Sequence, residues 1–147
     1  MATVRQILQS KGNATWITSP GSTVFEALQI MAEKNVGALL VVEGDQLVGI
    51  FSERDYARNV ALKGRTADNT LVRDIMTEHV ITIRPNQTVE DCMALMTEKH
   101  IRHLPVMENE QFVGIISIGD VVKEIISDQA FTIRSLESYI TGGNRTT

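Results

Sequence analysis

Apolar residues recur along this chain in two alternating rhythms, and each rhythm is written twice. Val24, Ala27, Leu28 and Met31 fall at i, i+3, i+4 and i+7, and so do Val89, Cys92, Met93 and Met96. That spacing predicts an amphipathic helix with one buried face in each place. Each helix is opened by a threonine with an acidic residue three positions on, Thr23 with Glu26 and Thr88 with Asp91, the pattern of a capping box. Paired apolar runs follow, ALLVV and LVGIF around EGDQ, then HLPVM and FVGII around ENEQ. They predict β-hairpins with loops of about four residues. A short strand is expected before each helix, at Trp16 to Thr18 and at Val80 to Ile83. A second helix is expected after each hairpin, at YARNVAL and VVKEII. Pro105 has no N–H for a ladder, so it belongs at a strand start or on an unpaired side.

The two halves are copies. At a shift of 65 residues, Pro20, Thr23, Val24, Met31, Glu33 and Lys34 meet Pro85, Thr88, Val89, Met96, Glu98 and Lys99. Leu39, Val41, Glu43, Gln46, Val48, Gly49, Ile50, Ser52 and Asp55 then meet Leu104, Val106, Glu108, Gln111, Val113, Gly114, Ile115, Ser117 and Asp120. These are 15 identities over about 41 positions without a gap. VRQIL (4–8) matches VRDIM (72–76) at a shift of 68, so the first copy carries three extra residues. Self-similarity at a fixed period defines the architecture before any single element does. The unit is β-α-β-β-α, and two copies are too few for a solenoid, so they are expected to pack as a pair. The expected division is 1–66 for the first copy with its lead-in, 67–128 for the second, and 129–147 for a C-terminal helix and tail. In that last segment Ile133, Leu136 and Ile140 sit at helical spacing, suited to a dimer mate, with GGNRTT fraying beyond. Gly49 and Gly114 interrupt strands, which points to close backbone approach between helix and sheet.

Composition narrows the class. The chain has 147 residues, 43% apolar and 22% charged, the profile of a folded globular protein. No apolar run reaches membrane-spanning length, and the N-terminus has no signal-like hydrophobic core, so a cytoplasmic protein with no membrane role is expected. A formal net charge of −4 speaks against nucleic acid as a partner. The single cysteine, Cys92, excludes an internal disulfide and a cysteine-based zinc site, and its spacing makes it a core thiol.

The chemistry gathers at IFSERD (50–55) and IISIGD (115–120). Ser-x-x-Asp at the head of a helix is by itself a capping-box variant that needs no ligand. The functional reading needs the rest of the pattern. The doubled unit with T-V-x-x-A-x-x-x-M, (I/V)-x-x-L-x-V and V-G-(I/L)-(I/F)-S-x-x-D resembles the CBS domain family, and the pair of repeats resembles a Bateman module standing alone. The resemblance covers about residues 1 to 128 and implies an α/β (α+β) fold of two tandem β-α-β-β-α repeats packed about a pseudo-twofold.

It also implies an adenine nucleotide as ligand, AMP first, with ADP, ATP, NAD or S-adenosylmethionine as others, and no metal. The SxxD aspartate of the family accepts the ribose hydroxyls, assisted by the serine; a carboxylate offers two acceptor oxygens to a vicinal diol. Carried onto this chain, Ser117 with Asp120 forms one ribose site, and Ser52 with Asp55 the other. Adenine is expected against backbone around Ile81 and Thr82, and against the junction that includes Leu104, Pro105 and Ile116. Arg102 and His103 stand where phosphate-binding members carry basic residues, and Arg54 of the other repeat is expected to reach the same cleft. The Ser52/Asp55 cleft has Gly37, Ala38 and Gly119 in those places and is expected to lack a cation.

Each assignment has a plainer alternative. Arg102 and Arg54 can be solvated surface residues, and His103 a strand-edge packing residue. His79 and His100 read as surface or hinge positions. Trp16 is either the first copy's adenine wall or a core residue. Met31, Met76, Met93 and Met96 are core positions. The resulting expectation is a regulatory adenylate sensor without catalysis, a homodimer of pairs that biases a regulated protein of unknown identity. The alternative is a dimeric interaction scaffold with non-binding clefts. No P-loop, metal-ligand spacing or nucleophile elbow supports an enzyme.

Overall fold

The computed structural model describes residues 2–12 and 14–141. The expected fraying of GGNRTT lies outside the described residues. In chain order the elements are α1 (Val4–Lys11), β1 (Ile17–Thr18), α2 (Val24–Lys34), β2 (Ala38–Glu43), β3 (Gln46–Ser52) and α3 (Glu53–Tyr56). A π turn (Ala57–Ala61), a 3-10 turn (Ala67–Asn69) and α4 (Val72–Ile75) follow. The chain ends with α5 (Val89–Lys99), β4 (His103–Glu108), β5 (Gln111–Ser117) and α6 (Ile118–Thr141). Helices and strands mix as expected for an α+β fold. Among the described residues no helix is long and apolar enough to cross a membrane.

The chain divides into two compact units that do not follow the repeat boundary. One comprises Met1–Gly12, Ile83–Leu104 and Ile116–Thr147, the other Asn13–Thr82 and Pro105–Ile115. The lead-in is therefore written before the first copy but folds with material of the second.

In the Asn13–Thr82 unit, β1 runs parallel to β2, and β2 antiparallel to β3 with a register shift between Val41 and Val42. From Ala38 to Val42 every residue of β2 is buried, the continuous apolar run of a central strand. Val24, Ala27 and Met31 of α2 meet Leu39, Val41, Phe51, Val60, Val72 and Ile75 in one core cluster. Thr23 and Glu26 form the expected capping box, and α2 ends at Asn35 in the left-handed conformation. The short helix α4 is stitched to the turn before α2. Val72 N–H donates to the Ser22 carbonyl (2.9 Å), Arg73 N–H to Pro20 (3.0 Å), and Val24 N–H to Thr70 (2.8 Å). The residues after α4 then join β3, where Ile50 and Thr77 exchange backbone hydrogen bonds of 3.0 and 2.9 Å.

The other unit repeats this stitching with α1 in place of α4. Val4 N–H donates to Gln87 (2.9 Å), Arg5 N–H to Pro85 (2.9 Å), and Val89 N–H to Ala2 (3.0 Å). Val4, Ile7 and Leu8 of α1 are buried, as are Val89, Cys92 and Met96 of α5 and Val121 of α6. Thr88 and Asp91 form the expected capping box of α5. Cys92 is a core thiol whose pKa burial pushes up to about 11.

Four expectations are revised. Val80–Ile83 is not a strand; a single bridge at Ile83 is its nearest approach to one. Both hairpin loops are tighter than four residues, because Glu43 pairs with Gln46 in the first, and the second turns on Asn109 and Glu110, both with positive φ. The helix after the second SxxD does not stop near 128 but runs on as α6 to Thr141. The close approach at Gly49 comes not from a helix but from the residues after α4. A Cβ there would lie 2.7 Å from the Met76 sulfur and 3.0 Å from the Thr77 carbonyl.

Candidate functional site

Both SxxD motifs cap the helices that follow them. Ser52 N–H donates to Asp55 Oδ2 (2.8 Å), and Asp55 N–H donates to Ser52 Oγ (3.2 Å). Ser117 N–H donates to Asp120 Oδ2 (2.8 Å), and Asp120 N–H donates to Ser117 Oγ (3.1 Å). The helix entrance is also pinned to the preceding helix-to-strand junction in each copy. Glu53 N–H donates to the Gly37 carbonyl (3.1 Å), and Ile118 N–H to the Arg102 carbonyl (2.8 Å). That bond sets Arg102 and His103 beside the Ser117/Asp120 junction within one unit.

The two aspartates have different surroundings. Asp55 is half-buried, and burial raises its pKa, while Ser52, the Thr77 hydroxyl and the Arg54 charge pull it back. Arg54, next to Asp55 in sequence, acts on the aspartate of its own copy. Asp120 has a cation that the motif pattern did not reveal. Lys11 Nζ, at the end of α1, donates to Asp120 Oδ2 at 2.6 Å, with the two side chains 32% and 22% exposed. Burial pushes the Asp120 pKa up, but Lys11 and the Ser117 hydrogen bonds outweigh it and hold it below the usual value. At His103 burial lowers the pKa, opposed by Asp120 and reinforced by Lys11 and Arg102. Burial thus works against a charged imidazole at His103; the cation that touches the carboxylate is Lys11.

The remaining predicted residues divide clearly. Leu104 and Ile116 are fully buried. Pro105 is the third residue of β4, buried, and belongs to the other unit with Ile81, Thr82, Ser52, Arg54 and Asp55. Thr82 is exposed and Ile81 half-buried in an irregular segment. Trp16 is not a core residue: it is 37% exposed and carries Lys34 Nζ 4.5 Å above its ring. His100 is the left-handed cap of α5, the counterpart of Asn35.

The doubled motif, the doubled capping geometry and the doubled stitching together describe one repeat type, and the CBS domain family model matches residues 17–62 and 72–127. The chain belongs to the CBS domain family. It is 40% identical to the CBS domain-containing protein CBSX3, mitochondrial, of Arabidopsis thaliana, over 96% of this chain and 73% of that protein. The CBS domain-containing protein YhcV of Bacillus subtilis is 35% identical over 76% of this chain and 79% of its own length. Among solved structures, a putative signal-transduction protein with CBS domains from Burkholderia ambifaria superposes with a TM-score of 0.84. The two are 47% identical, over 87% of this chain and 96% of that one. The CBS domain pair of protein MJ0100, crystallised with 5′-methylthioadenosine and S-adenosyl-L-methionine, has a TM-score of 0.75 and 25% identity, over 84% of this chain and 99% of that one.

Proposed function

We propose that this CBS pair is a regulatory binding module for an adenine nucleotide, with Ser117 and Asp120 as its principal ribose site and no chemistry of its own. The carrying observation is the arrangement around Asp120: a half-buried carboxylate at a helix N-terminus, with Lys11, His103 and the Arg102 junction beside it. A carboxylate so placed offers acceptors to a ribose diol. Helix N–H groups and nearby cations favour a phosphate. The adenosine ligands of MJ0100 support the ligand class. AMP is the first candidate, with ADP, ATP, NAD or S-adenosylmethionine as others, and no metal is required. Adenine would lie against the junction at Leu104 and Ile116, in the unit that holds Asp120. The Ser52/Asp55 site is the secondary one, because Gly37 and Ala38 stand where the second copy carries Arg102 and His103.

The proposal includes a homodimer acting on a regulated protein in the cytoplasm. Ile126, Phe131, Ile133, Leu136, Tyr139 and Ile140 of α6 are exposed on the single chain and would be covered by a mate. Occupancy would shift the balance between conformations, by no more than the ligand's difference in affinity for them.

Thermal unfolding with AMP, ADP, ATP, NAD and S-adenosylmethionine tests the reading. A ligand at 100 times its dissociation constant adds about 2.7 kcal/mol. For a chain of this size that raises the midpoint by roughly 5–10 °C. A rise with one of them, lost in Asp120→Ala, supports the sensor. No rise with any ligand favours the second reading, a dimeric scaffold whose SxxD motifs serve only as caps, which the exposed apolar face of α6 would also suit.

A further inference from the structure

The contact between Lys11 and Asp120 joins two residues 109 positions apart and is built by the lead-in helix, outside both family-matched segments. Its geometry bears on ligand entry. Both the Ser117 N–H and the Lys11 ammonium donate to one oxygen, Oδ2, at 2.8 and 2.6 Å. A carboxylate oxygen has two lone-pair positions, so these two donors fill Oδ2. A vicinal diol held by the carboxylate takes one bond at each oxygen. The Ser117 bond belongs to the helix cap and is kept as long as α6 begins where it does. The donor that can yield is Lys11, on a flexible stem at the last position of α1.

We propose that Lys11 is a latch on the Ser117/Asp120 site: a ribose diol displaces its ammonium from Asp120, and this release couples occupancy of the site to the C-terminal end of α1. The inference rests on the ribose reading given above. The latch is weak enough to open, since a half-exposed ion pair contributes modestly and its desolvation is incomplete. It is also placed to transmit. The last turn of α1 closes with the Gly12 N–H donating to the Leu8 carbonyl (2.8 Å), directly next to Lys11. Once released, the ammonium is available to a phosphate on the same ligand, so a phosphate-free ligand isolates the competition.

Adenosine and 2′-deoxyadenosine are therefore the probes, titrated calorimetrically into wild-type protein, Lys11→Met and Lys11→Arg. Methionine keeps the apolar stem on α1 and removes the donor. The latch predicts that Lys11→Met binds adenosine roughly two- to fivefold tighter than wild type, while Lys11→Arg does not. The advantage shrinks for 2′-deoxyadenosine, which lacks one of the competing hydroxyls. It also predicts that adenosine speeds amide exchange in residues 7–12 of wild type and leaves it unchanged in Lys11→Met. Equal or weaker adenosine binding by Lys11→Met, with wild type binding normally, overturns the latch and leaves the ribose reading standing. Unchanged exchange in residues 7–12 of wild type overturns the coupling to α1. Adenosine binding to neither protein overturns the ribose reading and the latch with it.

Discussion

The Val89 N–H donates to the carbonyl of Ala2 at 3.0 Å, tying the first turn of α5 to the residues just before α1. The equivalent bond in the other copy runs from Val24 to Thr70. Each copy's main helix is thus closed by a lead-in that lies elsewhere in the sequence. VRQIL serves the second copy, and VRDIM the first. The same exchange brings Lys11 to Asp120 and Thr77 to Asp55, so the lead-ins reach both SxxD aspartates as well as both cores.

This arrangement makes α1 a structural part of the second copy. Leu8, buried against that unit, is the position to test. Leu8→Ala is expected to cost about 2–5 kcal/mol, as for other large-to-small core changes. Urea unfolding measures it. A loss below about 0.5 kcal/mol would mean that α1 is only loosely attached.

Gly49 is required by proximity, not by backbone conformation. A methyl group there meets the Met76 sulfur at 2.7 Å and the Thr77 carbonyl at 3.0 Å. The methionine can move but the carbonyl is held by the Ile50 and Thr77 bonds. Gly49→Ala is therefore expected to destabilise by about 1–3 kcal/mol. Pairing it with Met76→Ala recovers only part of the loss, because the Thr77 carbonyl stays in place.

The second hairpin carries a correctable strain. Asn109 and Glu110 both adopt positive φ, at 53° and 65°. Two such residues are the requirement of a type I′ turn, for which Asn-Gly is the preferred pair. Glu110→Gly removes the Cβ penalty at the second position and is expected to stabilise by about 0.5–1 kcal/mol, after the entropy that glycine adds to the unfolded chain. A lower midpoint in thermal unfolding would contradict the turn assignment.

His103 sets a pH dependence. Its folded-state pKa lies below the ordinary value of 6.5, first because of burial. The unfolded chain therefore takes up a proton that the folded chain resists. The stability this contributes is fully present above about pH 6.5 and falls as the pH drops through the lowered folded value. Urea midpoints measured between pH 7.5 and 5 are expected to decline, and His103→Gln to flatten the decline. An unchanged slope in His103→Gln would assign the dependence to other groups.

Much of this was legible in the sequence because it is local or periodic. The two capping boxes, the helix faces of Val24 and Val89 and the paired SxxD caps follow from spacings of three, four and seven residues, and the structure reproduces them. What escaped is long-range. Nothing in VRQIL states that it docks on Pro85 and Gln87 instead of on its own copy. Nothing around Lys11 marks it as the partner of Asp120, since an ion pair across 109 positions leaves no periodic trace. The best available hint was the shift of 68 at the lead-ins against 65 elsewhere, which set those segments apart from the rest of each copy. Val80–Ile83 looked like a strand because it is β-branched and apolar, but no regular ladder forms there. The lowered pKa of His103 depends first on burial and then on neighbouring cations, neither visible in the motif.

The most direct test of the central claim is calorimetric titration of AMP into wild-type protein, Asp120→Asn and Asp55→Asn. Asparagine keeps an acceptor for the Ser117 or Ser52 N–H, so the cap survives while the charge and the second acceptor oxygen are lost. The account predicts saturable AMP binding that is weakened tenfold or more by Asp120→Asn and changed little by Asp55→Asn. Equal affinities in all three proteins, or no binding to wild type, would contradict the assignment of Asp120 as a ribose ligand.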